Sequence, residues 1–528
     1  MAEFPTLDRL DPTIQAEELF SYISSRKPAI IKGLPDDESF KAGKWTDLKY
    51  LIQKAGETKV LVEPIHPKSQ QYGTDVERIS MPFKDFLSSL TSSDGPHHYL
   101  TTQYAELEKN PDSNLDQFTV LPSPANALAD DFPEVPRIMG NLFLQQVNLW
   151  IGKSKDGSSS GLHHDFHDNL YCLLKGKKRF VLYPPQELEN LYPYGDLDTL
   201  HPNGLISYKD ARVRSDGLPL KLALRARLSA IERKLDALPK QNGSADVKGQ
   251  GKGKEKKAGR SKERRALEKL HDETLDEIAQ LALEDEAEFG ADEEVDDFDA
   301  LMAGLDGMDQ DGDDDFALAG PSNGGDLQDD VDDQSEEDDE GEGLGLPADN
   351  NGDEDASDND SEENTEPSSF SRIPTAFLHQ HLDLPTTAVP PPSLSPSSPT
   401  TFFPNLRKAS KPYVVELNAG EMLYLPASWW HEVTSFSSPA GENGKDPDVH
   451  MAFNYWFYPP NAKTFEQPYE DTLVWEFLRS QRDRDAAKKT GKVTENETEN
   501  GTKKEHSKRK KGDRSQYQEN SNKKKARR

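Results

Sequence analysis

The chain has a single cysteine, Cys172, among its 528 residues. That excludes an intramolecular disulfide and a cysteine-built zinc module, and a reducing compartment fits. Long apolar runs are missing too. No window approaches the roughly 18 uninterrupted apolar residues of a membrane-spanning helix, and the opening MAEFPTLDRLDP lacks a basic segment followed by an apolar one. The expectation is a soluble protein of the cytoplasm, the nucleus or both. Apolar residues are scarce overall, 33% against 30% charged, which predicts that much of the chain stays outside a packed core. Lysine and arginine are absent from Glu284 to Glu366, a stretch that carries 36 of the 96 Asp and Glu. The formal net charge of -33 therefore belongs to one segment, and the remainder is close to neutral.

What is present divides the chain into four parts: 1–215, 216–400, 401–482 and 483–528. In the first, PAIIKGL (Pro28–Leu34), KVLVEPI (Lys59–Ile65) and LFLQQVNLWIG (Leu142–Gly152) read as strands, and MPFKDFLSSL (Met81–Leu90) has helical spacing. NLYCLLKGKKRFVLYPP (Asn169–Pro185) reads as a hairpin folded about Lys175-Gly176. The second part holds two helical pieces, near Leu220–Leu238 and Ala266–Leu283, a basic stretch between them and the acidic run. Its composition predicts an insert that is mostly disordered, because so little apolar surface cannot offset the entropy of ordering it. Strand-like sequence resumes with KPYVVELNAGEMLYLPASWWHEVTSF (Lys411–Phe436) and VHMAFNYWFYPP (Val449–Pro460), and YEDTLVWEFLRSQR (Tyr469–Arg482) closes the third part as a helix. One β-rich domain split by a long excursion is an inexpensive arrangement, since loop-closure entropy grows only by about 0.6 kcal/mol per doubling of length.

GLHHDFHDN (Gly161–Asn169) concentrates three histidines and two aspartates in nine residues. If it begins a strand, His163, Asp165, His167 and Asn169 share one face, and a His-x-Asp pair offers an imidazole nitrogen and a carboxylate oxygen to one ion. His431, in GEMLYLPASWWHEV, is the candidate third ligand. Two histidines and a carboxylate make the facial triad of non-haem Fe(II) oxygenases, while hydrolytic zinc is the other use of such ligands. His381-x-Asp383 matches the same short pattern beside PTTAVPPPSLSPSSP and, with no flanking strand, is read as an ordinary surface pair.

LWIG, LHHDFHDNLYCLLKGKKRFVLYPP, GEMLYLPASWWHEV and FNYWF, in that order, resemble the JmjC, or cupin-like, family of Fe(II)- and 2-oxoglutarate-dependent oxygenases, and within it the small protein hydroxylases that act on lysine. The resemblance covers roughly Leu7–Ser215 and Phe402–Arg482. It implies a mainly β fold, a double-stranded β-helix or jelly-roll barrel with an N-terminal α+β portion and C-terminal helices. It implies that His163, Asp165 and His431 hold Fe(II), with no catalytic side chain beyond them. Lys178 takes the position that pairs with the 5-carboxylate of 2-oxoglutarate, the co-substrate with molecular oxygen. Asn169, Asn454, Ser160 and Tyr99 match other residues around that pocket, His164 fills the variable middle position, and His167 is expected behind the ligands, towards substrate or in solvent. The tryptophans 150, 429, 430 and 456 are read as packing.

The implied reaction is hydroxylation of a protein side chain, lysine first, in a GTP-binding or translation-linked protein. Histone lysine demethylation and a non-catalytic cupin-fold scaffold are the alternatives. The acidic run is a candidate dock for basic proteins, with Phe298, Leu301, Met302, Leu305 and Met308 of DFDALMAGLDGM at helical spacing inside it. KRKK (Lys508–Lys511) and KKKARR (Lys523–Arg528) suit nuclear import, and nothing resembles a module that reads bases. The Tyr469–Arg482 helix is a candidate homodimer contact.

Overall fold

Alternation along the strands decides which side chains meet inside this protein. The computed structural model describes residues 4–65, 72, 76–92, 98–103, 121–154, 157–238, 252–289, 367–389, 399–438 and 448–489. The acidic run beyond residue 289, DFDALMAGLDGM and the basic tail lie outside the described residues. In chain order the strands are β1 (Asp8–Leu10), β2 (Ala29–Ile31), β3 (Lys59–Pro64), β4 (Ile79–Pro82), β5 (His98–Leu100), β6 (Leu144–Gly152), β7 (Ser158–Ser159), β8 (Asp168–Lys175), β9 (Lys177–Tyr183), β10 (Leu197–Leu200), β11 (Ile206–Tyr208), β12 (Tyr413–Asn418), β13 (Met422–Leu425), β14 (Trp430–Phe436) and β15 (His450–Phe457). Nine form a large sheet in the order β1-β2-β13-β8-β15-β6-β5-β3-β4, and four form a small one, β12-β9-β14-β7. The architecture is the mainly β, cupin-like one expected, but its two sheets stay separate and do not close into a barrel.

Between the sheets lies a core to which β8 contributes Tyr171 and Leu173, β9 Phe180 and Leu182, and β12 Val415 and Leu417. The intervening residues of the small sheet, Val181, Tyr183 and Trp430, point the other way into a second core, shared with Ile206 and Tyr208. Ile373, Phe377 and Leu378, around the helix Thr375–Leu382, complete that second core. Residues 367–389 are thus built into the domain, although their neighbourhood reads as part of the insert. The apolar spacing of Phe377, Leu378 and Leu382 is one helical face, which composition averaged over the acidic run conceals.

Two differences from the sequence reading bear on the site. Lys175-Gly176 does not close a hairpin. β8 pairs with β13 and β15 in the large sheet, β9 with β12 and β14 in the small one, and Gly176 alone carries the chain from one layer to the other. Its φ of +85° and the 2.5 Å that a Cβ would leave to the Phe436 carbonyl oxygen explain why glycine stands at this corner. Second, the helix predicted near Ala266–Leu283 runs over Lys252–Phe289, taking in part of the basic stretch, and meets helix Leu220–Ala237 through Leu224, Leu228, Ile278 and Leu281. The chain divides into two units, Met1–Trp475 and Glu476–Arg528, and the described part of the second, to residue 489, is helical. Among the described residues no helix is long and apolar enough to cross a membrane.

Candidate metal centre

Of the nine residues of GLHHDFHDN, the strand β8 takes up only the last two, and His163 joins the sheet by a single bridge. Its N–H donates to the His431 carbonyl (3.0 Å) and the His431 N–H donates back to the His163 carbonyl (2.7 Å), so two segments far apart in sequence are laced together at the ligands themselves. Asp165 follows in irregular backbone, its carbonyl accepting the Ser428 N–H at 2.7 Å. The result places one ligand atom each from His163, Asp165 and His431 within 4.8 Å of one another, with His431 Nε2 3.7 Å from Asp165 Oδ2. The two imidazoles lie 4.3 Å apart between ring centroids.

Both rings are prepared as ligands. His163 Nδ1 is 3.1 Å from the Gly161 carbonyl oxygen and His431 Nδ1 is 2.8 Å from that of Trp429. A carbonyl only accepts, so the proton sits on Nδ1 and Nε2 is left with its lone pair. Burial, followed by repulsion from the His431 ring, pulls His163 down to about 4, and burial pulls His431 to about 4 as well, so both are uncharged at neutral pH. Burial pushes the Asp165 carboxyl up, against His163, Asn169 and Trp456, which favour its charge. Two neutral imidazoles and a carboxylate suit Fe(II) and leave coordination positions for other molecules.

The remaining polar residues of the stretch are engaged elsewhere. His164 is buried and lies 2.8 Å from the Tyr208 hydroxyl, against Trp430. His167 packs over Trp456 (6.0 Å) and Tyr458 (5.3 Å) and does not line the cavity, because the backbone between 164 and 167 does not keep strand alternation. Asp168 is fully buried under a two-pronged ion pair with Arg26 (2.6 and 2.7 Å) and also accepts from Tyr424 and the Ala427 N–H. His381 and Asp383 are exposed and take no part in the metal cluster.

From the triad a cavity of about 610 Å³, counting its open mouth, runs between the sheets to Lys178. Lys178 reaches it from β9 of the small sheet, between Leu417 of β12 and Ser435 of β14, and not from a hairpin about Lys175-Gly176. Lys178 is 1% exposed, and its ammonium donates to Ser435 Oγ (2.5 Å) and Tyr99 Oη (3.2 Å). No carboxylate among the described residues pairs with it, and burial pulls it down to about 7. A buried amine held only by hydroxyls is the donor set for a carboxylate arriving from outside. Tyr99, with Lys178 also 5.4 Å from its ring centre, belongs to this end, and burial raises its phenol.

Asn169 lines the cavity; Asn454 lies behind it, donating to Asn169 Oδ1 (2.9 Å) and accepting from Trp150 Nε1 (2.7 Å). Ser160 lines it as well, its hydroxyl accepting the Val433 N–H at 3.2 Å. The lining residues not singled out from sequence include Ser435, Tyr171 and, read as packing only, Trp150. Alternation held the signal, since Ser435 shares a face with His431 and Tyr171 with Asn169.

Residues 15–463 match the family model of the cupin-like domain. JmjC domain-containing protein 4 of Schizosaccharomyces pombe is 34% identical over 488 residues, which is 90% of this chain and 89% of that protein. JmjC domain-containing protein E of Dictyostelium discoideum is 28% identical over 35% of this chain and 54% of its own length. Lysine-specific demethylase JMJ31 of Arabidopsis thaliana is 25% identical over 36% of this chain and 38% of its own.

Proposed function

This chain belongs to the cupin-like family as a JmjC-domain protein, and from that premise we propose that it is an Fe(II)- and 2-oxoglutarate-dependent dioxygenase that hydroxylates a protein side chain, lysine first. One observation carries the reading: a single cavity has a two-histidine, one-carboxylate cluster at one end and, at the other, a buried ammonium that no carboxylate among the described residues pairs. His163, Asp165 and His431 would hold the metal. When bound, iron with 2-oxoglutarate and oxygen supplies the oxidising power to place one oxygen atom into an unactivated C–H bond, 2-oxoglutarate ending as succinate and carbon dioxide.

The protein's own part is orientation. Lys178 binds the far carboxylate and Tyr99 and Ser435 hold the ammonium in place, so the dianion enters one way round. Trp150 and Asn454 fix the amide of Asn169 beside Asp165, and Tyr171, Phe180 and Leu425 keep the middle of the cavity apolar. The partner is a protein, with a GTP-binding or translation-linked one as the first class to screen, and the acidic run is a docking segment for a basic one.

The test is turnover of 2-oxoglutarate with Fe(II), ascorbate and fractionated lysine-rich peptides. Succinate formation with a stable gain of one oxygen on a peptide is expected, falling to background in His163→Ala and Lys178→Ala. Equal succinate from all three proteins would overturn the site. The demethylase reading, favoured by the similarity to the Arabidopsis lysine-specific demethylase, predicts loss of methyl mass from a methylated peptide instead.

A further inference from the structure

The imidazole of His163 has a neighbour that the triad does not require. Phe370 stacks on it, ring centroids 4.9 Å apart and planes 15° from parallel, and its backbone bridges to His163 on the side not taken by His431. The His164 N–H donates to the Ser369 carbonyl (3.0 Å), and the Ser371 N–H donates to the Leu162 carbonyl (2.9 Å). Phe370 thus forms the outer rung of a short ladder whose middle is one metal ligand and whose far rung is another.

The same segment grips the second ligand strand a few residues on. Helix Thr375–Leu382 sends His379 to within 3.2 Å of Glu432 Oε2, the residue after His431, and Thr375 to within 3.2 Å of Ser159 Oγ. Ser159 and Thr434 both donate to the other Glu432 oxygen at 2.7 Å, and Arg179 donates to Thr434 at 2.9 Å. Glu432 is fully buried between these groups.

We propose that Ser368–Leu382, close behind the acidic run in sequence, are a brace of the metal centre, with Phe370 the positioning residue that holds the His163 ring in its ligating orientation. An imidazole free to turn about χ1 and χ2 pays ordering entropy on each metal-binding event; a ring already fixed by the Gly161 carbonyl and by a flat aromatic face does not. Phe370 is half-buried and lies outside the lining of the cavity, so its effect is on the ligand and not on the co-substrate.

The inference rests on the metal reading above, and Co(II) titration of the full chain, followed by calorimetry and visible absorption, tests the two separately. Wild-type protein is expected to bind one Co(II) with a ligand-field spectrum. Phe370→Ala is expected to weaken binding roughly tenfold, within the range for residues that orient ligands, with an altered spectrum. Phe370→Tyr restores both, while Phe370→Leu, which keeps the apolar volume and the fold without the flat face, follows the alanine variant. Wild-type affinity in Phe370→Ala or Phe370→Leu would overturn the brace and leave the metal site standing. Failure of wild-type protein to bind Co(II) would remove both.

Discussion

The two ends of the cavity hold opposite kinds of incompleteness. At the triad end the protein has gathered electron pairs: two uncharged imidazoles and a carboxyl whose burial resists its charge, all directed at one point. At the lysine end it has gathered protons: an ammonium and two hydroxyls, and among the described residues no carboxylate pairs with the ammonium. Neither end is a stable resting arrangement for charge in a low-dielectric interior, and each is corrected by a ligand of the opposite character, a cation here and an anion there. The difference teaches that the cavity fits a molecule with a chelating end and a distant carboxylate.

The sharpest way to break this asymmetry is at the metal end. Removing one triad residue, as in His431→Ala or Asp165→Ala, is expected to lower divalent-metal affinity by more than about a hundredfold, beyond the loss typical of an orienting residue, as read by calorimetry. His381→Ala, in the other His-x-Asp pair, is expected to leave affinity unchanged. Next in size is Lys178→Ala. Loss of a charge-assisted bond of about 1.5–3 kcal/mol should weaken 2-oxoglutarate roughly ten- to a hundredfold, with metal affinity intact and no effect on pyruvate, which lacks the distal carboxylate. Equal losses for both ligands would mean that the lysine does not define that end.

The smallest effect is a pH dependence. The Lys178 ammonium titrates near 7 in the free cavity because burial disfavours its charge. A bound carboxylate favours the charge, raising the value, so affinity is level below pH 7 and falls above it by up to about tenfold per unit. Binding at pH 8 then takes up close to one proton, which calorimetry in buffers of different ionisation heat measures. No uptake, or an unchanged uptake in Lys178→Ala, would contradict the assignment.

Much of the site is legible in the chain because period-2 alternation survives inside the strands. His431, Val433 and Ser435 on β14, and Lys178, Phe180 and Leu182 on β9, face inwards as a pleated strand requires. What is not legible are the places where the chain leaves a strand. Lys175-Gly176 carries the signal of a tight hairpin, yet the same residue type serves a change of layer, and only long-range pairing distinguishes them. His167 follows His163 and Asp165 at strand spacing, but the backbone there is irregular, and its ring turns to Trp456. Phe370 stands four positions after the last acid of the run, and no local pattern marks it as the neighbour of a metal ligand. The two His-x-Asp pairs show the rule: His163-x-Asp165 is laced to a second strand, whereas His381 and Asp383 sit at the end of a packed helix with both side chains exposed.

The ladder between β9 and β14 sets His431 opposite Leu182 and Ser435 opposite Lys178. Four residues of β14 therefore separate the rung that carries a metal ligand from the rung that carries the ammonium, about 14 Å of backbone at ordinary strand rise. Backbone hydrogen bonds fix that interval, and a slip of one residue would turn Lys178 out of the layer altogether. Strand pairing here works as a caliper: under the proposed function, the fixed interval would set the length of diacid that touches both jaws at once.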